Sequence, residues 1–150
     1  MYLFIQLFSF FFLAVPISLF IHELGHAITS LLLRADYVLI RIGKGTRLFR
    51  TNIRRFSVAI YTNFFVHYMT EYERTVPFVK REQIVIALMG PIANSIFGVM
   101  SFFIYKEIYT FKVFFFCALF NWWLMISNLI PFKIGQKRSD GYTIYTLLFK

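Results

Sequence analysis

Three long apolar segments stand out along the chain, and polar or basic stretches separate them. The first covers residues 2–33, the second residues 84–105 and the third residues 113–131. A helix needs roughly 20 apolar residues to cross a hydrocarbon core of about 30 Å. The pattern therefore predicts three transmembrane helices.

The stretch between the first two segments, residues 34–81, has a different periodicity. Apolar side chains recur at every second position in residues 38–42 and 56–60, which is the period of a β-strand. Residues 43–45 have the sequence Gly-Lys-Gly, which predicts a turn after the first strand. This loop is therefore expected to contain two strands.

The last apolar segment, Tyr142–Phe149, is too short to cross a membrane alone. It predicts a short C-terminal helix at the end of an Asp-Gly segment that spans residues 139–150. The chain shows no internal repeat and no low-complexity tract, so residues 1–150 are expected to form one domain. The predicted fold class is an α-helical integral membrane protein with a small β-structure between its first two helices.

Composition strengthens the membrane interpretation. Hydrophobic residues make up 59% of the chain and aromatic residues 21%, which is far more than a soluble domain of this length needs for its core. A water-soluble fold would also have to expose part of each phenylalanine run, such as residues 10–12. The lipid bilayer is therefore the expected surroundings of the helices.

The net charge of +9 is distributed unevenly along the chain. Ten of the sixteen basic residues lie in residues 34–81 and four in residues 133–150, whereas the loop between the second and third segments carries two. The positive-inside rule then predicts a cell-membrane protein with its N-terminus outside and its long loop in the cytosol. No nucleic-acid recognition motif accompanies the charge, so a nucleic-acid partner is not expected.

The sequence His22-Glu23-Leu24-Gly25-His26 is an H-E-x-x-H motif within the first apolar segment. On a helix, histidines four residues apart project from one face and can bind the same zinc ion. Glu23 lies beside that face, where it can accept a proton from the attacking water. A pair of structural core histidines is the simpler alternative, but ionisable groups in a membrane helix usually mark function.

A catalytic zinc usually has three protein ligands, so a third ligand must come from elsewhere. Glu107 is expected on the opposite side of the membrane. Asp140 follows the third span on the same side as the H-E-x-x-H motif and is the favoured candidate. The imidazole and carboxylate candidates considered are His67, Glu71, Glu73, Glu82, Glu107 and Asp140.

Three motifs, taken in order, resemble the site-2 protease family of intramembrane zinc metalloproteases. The first is the H-E-x-x-H motif, the second is a G-P-x-x-N element and the third is an N-x-x-P element followed by Asp-Gly. The residues of the last two are Gly90, Pro91, Asn94, Asn128, Pro131, Asp140 and Gly141.

The resemblance implies that Asp140 is the third ligand of one zinc ion and that Asn94 lies near the active site. It also implies that the basic loop forms a membrane-associated β-sheet. Asn94 and Asn128 are candidates for binding the substrate backbone or the oxyanion, although both amides can instead serve helix packing. Eight residues separate Pro131 from Asp140, a longer and more polar segment than is usual in the family.

The predicted function is hydrolysis of peptide bonds in membrane-embedded or membrane-associated protein substrates. The strands near Val38 and Val58 are expected to hold an unwound substrate segment as an added strand. Two alternatives are a non-catalytic membrane protein that binds a metal or a partner, and a zinc peptidase that cleaves soluble peptides at the membrane surface. The sequence identifies neither the substrate protein nor the oligomeric state.

Overall fold

The computed structural model describes residues 2–135 and 137–150. The first apolar segment is one continuous helical rod made of α1 (Tyr2–Ser9), a π-helical turn (Phe10–Ala14) and α2 (Val15–Leu32). Pro16, in the first turn of α2, cannot donate a backbone hydrogen bond to the preceding turn. The π-helical turn directly before it accommodates this break, as wide turns in helices commonly do.

Four further helical elements complete the helical part of the described chain. They are α3 (Lys80–Phe103), a π-helical turn (Ile104–Ile108), α4 (Lys112–Leu129) and α5 (Asp140–Phe149). Three stretches are long and apolar enough to cross a membrane, namely Phe4–Leu32, Lys80–Ile108 and Lys112–Leu129. The prediction of a mostly helical chain with three candidate membrane spans is confirmed.

A buried polar cluster joins the helices near the middle of the bundle. Asn121 on α4 donates from Nδ2 to Ser18 Oγ on α2, and the distance is 2.8 Å. The same nitrogen lies 2.8 Å from the carbonyl oxygen of Cys117, while Ser101 on α3 lies 3.5 Å from the Cys117 sulfur. Because lipid offers no competing hydrogen bonds, such contacts hold membrane helices together.

The loop between α2 and α3 forms a β-sheet from two long strands, β1 (Tyr37–Ile53) and β2 (Phe56–Glu73). Residues 37–42 of β1 pair with residues 68–73 of β2 on one side, and residues 38–42 pair with residues 56–60 on the other. The second half of β1 pairs with the start of β2. The two strands thus make a sheet four segments wide.

The predicted turn at residues 43–45 is a bend within β1 rather than the end of the strand. Gly43 and Gly45 have φ angles of +96° and +100°, which favour glycine. The chain reverses direction there, because residues 38–42 and residues 49–53 pair with residues 56–60 in opposite directions. It reverses again after Ile53, where Arg54 has a φ of +54°. The predicted change of direction at residues 43–45 is therefore confirmed, although β1 continues beyond it to Ile53.

The sheet packs on the C-terminal half of α2 through a small apolar core. Ala27 of α2 and Ala35, Val38 and Ile40 of the sheet region are fully buried there. Leu39, which the alternating pattern assigned to the opposite face, is also only 4% exposed. Both faces of this part of β1 are therefore covered, and the sheet is fixed against the helix.

Candidate metal centre

The H-E-x-x-H motif lies in the middle of α2, where helical spacing places His22 and His26 on one face. Both side chains are buried, with exposed fractions of 7% and 8%. The two Nε2 atoms are 3.2 Å apart and point to a common position. The helix alone thus brings together two potential metal ligands.

Asp140, the first residue of α5, meets the two histidines from the other end of the chain. Its Oδ2 lies 3.1 Å from His22 Nε2, and its Oδ1 lies 3.3 Å from His26 Nε2. In a tetrahedral zinc site with bonds of about 2.0–2.1 Å, neighbouring ligand atoms are about 3.3–3.4 Å apart. The three side chains therefore fit one zinc ion.

The charge state of Asp140 suits a cation. Burial raises the pKa of its carboxyl group, but contacts with the imidazoles of His22 and His26 outweigh burial and lower the pKa to about 2. Although His22 Nε2 lies 3.1 Å away, the buried Oδ2 accepts no well-aligned hydrogen bond in the part of the chain that is described. A metal ion would satisfy this oxygen.

The segment before Asp140 explains how the ligand reaches the histidines despite the long spacing from Pro131. Short strands β3 (Lys133–Ile134) and β4 (Lys137–Arg138) pair as a small exposed hairpin. At its base, Ser139 Oγ donates to the Ile130 carbonyl and accepts from the backbone nitrogen of Phe132. The hairpin therefore loops outwards, and its two ends stay together beside the end of α4.

Ser139 also begins α5, because its Oγ accepts a hydrogen bond from the backbone nitrogen of Tyr142. This is an ordinary N-cap, and it fixes the first turn that carries Asp140. Gly141 is buried directly against the Leu129 carbonyl, where a side chain would overlap the end of α4. These two neighbours determine where the Asp140 carboxylate lies.

Helix α3 orients the histidines through a backbone carbonyl and a glycine. His26 Nδ1 lies 2.7 Å from the carbonyl oxygen of Ile86, so Nδ1 donates and Nε2 is left as the free ligand atom. Metal-binding histidines commonly have such a partner on their second nitrogen. Gly90, one turn further along α3, lies against both rings and leaves room for them because it has no side chain.

Glu23 is 9% exposed and is contacted by the sheet. Thr70 of β2 places its Oγ1 2.8 Å from Glu23 Oε2 and 2.9 Å from the Glu23 carbonyl oxygen. The Thr70 hydroxyl is the donor in both contacts. The glutamate beside the histidines is thus held by a residue 47 positions later in the chain.

A family model described as peptidase family M50 matches residues 10–111, which is more than half of the chain. The matched range contains the H-E-x-x-H motif and the G-P-x-x-N element. The chain belongs to peptidase family M50. The resemblance to the site-2 protease family is confirmed, and M50 peptidases are zinc metalloproteases. No curated protein matches the chain.

The M50 match ends before Asp140, so the place of this residue beside the histidines comes from the fold. Among the described residues, His22, His26 and Asp140 form the group of side chains able to share a metal ion. Two of the other candidates are engaged elsewhere: Glu71 contacts Arg41 at 3.1 Å, and Glu82 contacts Arg74 at 2.6 Å. His67, Glu73 and Glu107 do not belong to the group.

The two asparagines of the M50-like motifs differ in their surroundings. Asn94 on α3 is fully buried, and neither its Nδ2 nor its Oδ1 has a hydrogen-bond partner in the described chain. Asn128 instead donates to the Leu124 carbonyl within its own helix. Pro91 is buried next to Gly90, whereas Pro131 is exposed just after α4. Of the two, Asn94 is the one whose side-chain nitrogen and oxygen both lack a partner among the described residues.

Sequence reasoning missed two parts of this M50 site. Thr70 gives no local signal, because threonine is common in β-strands for reasons of shape alone. The Ile86 carbonyl belongs to the backbone, so the identity of the residue does not predict its role. Both became visible only once the sheet and α3 were packed against α2.

Proposed function

We propose that this protein is a zinc-dependent intramembrane endopeptidase that cleaves membrane-embedded or membrane-associated protein substrates. The observation that carries the proposal is that Asp140 of α5 meets His22 and His26 beside Glu23, and that the last three residues lie in an apolar helix. A structural zinc site normally uses four protein ligands. Three ligands with an adjacent carboxylate instead suit catalysis.

His22, His26 and Asp140 would hold one zinc ion, which when bound supplies Lewis-acid polarisation of water and of the scissile carbonyl. Glu23 acts as the general base and accepts a proton from the attacking water. The same carboxyl group then delivers that proton to the leaving amine. Asn94, buried and without a partner, is available to bind the substrate backbone or the oxyanion.

The outer segment of the sheet, residues 68–73, is the part of the hairpin best placed to hold an unwound substrate. The segments around Val38 and Val58 each pair with another segment on both sides, so neither lies at an edge of the sheet. Residues 68–73 pair with β1 on one side only, among the residues described, and they include the contact to Glu23. An extended substrate added at this edge would run beside the catalytic base.

The distribution of basic residues supports a cell-membrane location with the N-terminus outside. In that orientation the end of α2, the start of α3 and the end of α4 lie on the cytosolic side. The metal centre is then close to the cytosolic face, and water reaches it from there. A helical substrate unwinds locally at this level before its peptide bond is attacked.

The test compares zinc content and cleavage for the wild type, Glu23→Gln and Glu107→Gln. Glu107 is a matched control because it undergoes the same change in the π-helical turn that follows α3. Substrates are single-span proteins in lipid vesicles and soluble peptides with the same sequences. We expect one zinc per chain in all three proteins and a loss of cleavage of about 10²–10⁴-fold in Glu23→Gln alone.

Each alternative gives a different result. Folded wild type that binds no zinc would refute the proposal. Zinc binding without cleavage of any substrate would favour a non-catalytic metal-binding protein. Cleavage confined to soluble peptides would favour a peptidase of the membrane surface.

A further inference from the structure

The contact between Thr70 and Glu23 joins two elements that are far apart in sequence. Thr70 lies on the outer segment of the sheet and pairs with the buried Ile40 of β1. Its hydroxyl group reaches Oε2 and the carbonyl oxygen of Glu23, at 2.8 Å and 2.9 Å. The strand therefore meets the helix at the residue expected to act as the base.

Glutamate has three rotatable side-chain bonds, so a carboxylate on a helix has several accessible positions. A general base must lie within hydrogen-bond reach of the proton that it abstracts. Among the described residues, Thr70 supplies the hydrogen bond recorded for this carboxylate. Because threonine is β-branched and its backbone is fixed in the sheet, its hydroxyl group is itself well positioned.

We propose that Thr70 is a positioning residue for Glu23. Its hydroxyl group holds Oε2 and leaves Oε1 to accept the proton of the attacking water. The second acceptor, the carbonyl oxygen of Glu23, ties the sheet edge to the same residue. The distance between the Glu23 carboxylate and a substrate strand bound at that edge is thereby fixed. This inference rests on the proposed peptidase function.

Thr70→Val removes the hydroxyl group and keeps the shape of the side chain. We expect kcat to fall on the order of 10–100-fold, since small displacements of catalytic groups have effects of this size. KM, zinc content and thermal stability are expected to stay near the wild-type values. Thr70→Ser restores the hydroxyl group and is expected to recover most of kcat.

The matched control is Thr62→Val on the same strand. Thr62 also donates its hydroxyl hydrogen to a carbonyl oxygen, that of Lys44, at 3.2 Å, but it does not contact Glu23. This variant is expected to keep wild-type kcat. In a Glu23→Gln background, Thr70→Val should change the residual rate little, because the two residues act as a unit.

The outcomes separate the positioning role from the proposed function. Failure of the wild type to cleave any substrate would overturn both. Wild-type cleavage with an unchanged kcat in Thr70→Val would overturn the role of Thr70 alone. Loss of zinc or of folding in Thr70→Val that Thr70→Ser does not restore would assign Thr70 a structural role and would also overturn the inference.

Discussion

The backbone of Gly90 lies directly against the imidazole of His26, and a methyl group at residue 90 would overlap Nε2 of that ring. The same methyl group would stand 2.9 Å from Cε1 of His22. The absence of a side chain on α3 therefore defines the space in which both histidines point to a common position. A G-P element that looks like a helix kink is here part of the metal centre.

Gly90→Ala is expected to weaken zinc binding on the order of 10–100-fold, the size of effect seen when a ligand is reoriented by its surroundings. The measurement is zinc retention during competition with a chelator.

Gly98→Ala is the control for this change, because its added methyl group would meet the Trp122 ring at 2.7 Å, on the same helix but away from the histidines. That variant should lose stability and keep its zinc affinity. Equal zinc affinity in both variants would contradict the prediction.

Asp140→Asn removes the negative charge from the third candidate ligand. We expect zinc affinity to fall by more than about 100-fold, beyond the loss caused by changes in outer-shell partners. Equilibrium dialysis against buffered zinc measures this. Asp36→Asn is the control, since Asp36 is exposed and its carboxylate accepts hydrogen bonds from Thr75, away from the histidines. Full zinc retention by Asp140→Asn would contradict the prediction and would favour Glu71, Glu73 or Glu82 as the third ligand.

How much of this site could be read from the sequence depends on the kind of contact. His22, Glu23 and His26 follow from local spacing on one helix, and three apolar segments predict the spans directly. Predicting Asp140 as a ligand required the chemistry of zinc sites and a family resemblance. Its distance from the histidines depends on how the chain folds back after α4. Thr70 had no signal, since alternation along a strand does not say which element the strand will meet.

The sheet illustrates the same limit. The period of two correctly indicated strands near residues 38–42 and 56–60. It did not indicate that the first of these would be paired on both sides, because alternation does not specify partners. Gly43 and Gly45 correctly marked the reversal within β1, because their positive φ angles favour glycine.

Asn121→Leu is expected to destabilise the helix bundle. The change removes the amide that donates hydrogen bonds to Ser18 Oγ and to the Cys117 carbonyl oxygen. Both oxygens then lose this donor. Hydrogen bonds between membrane helices contribute about 0.6–1.7 kcal/mol, so we expect a loss of about that size. Unfolding in a denaturing detergent measures it. Asn63→Leu, at an exposed strand position, should unfold like the wild type.

Arg74→Lys tests the junction between the sheet and α3. The Arg74 guanidinium contacts both carboxylate oxygens of Glu82 at 3.0 Å and 2.6 Å, and it also donates to the Leu33 carbonyl. A lysine ammonium group cannot reproduce this forked arrangement. We expect faster proteolysis of residues 74–79 under native conditions.

Arg47→Lys, at an exposed position in β1, is the control for this junction. Its proteolysis should match that of the wild type. An unchanged cleavage rate in Arg74→Lys would show that the junction is held by other contacts.

The bonds at Ser139 have a consequence for how this part of the chain can vary. One hydroxyl group closes the base of the hairpin by linking Ile130, Phe132 and the start of α5. Because the base is closed, the position of the Asp140 carboxylate does not depend on the length or charge of the hairpin that β3 and β4 form. Residues 133–138 can therefore gain or lose surface features while the metal centre keeps its geometry.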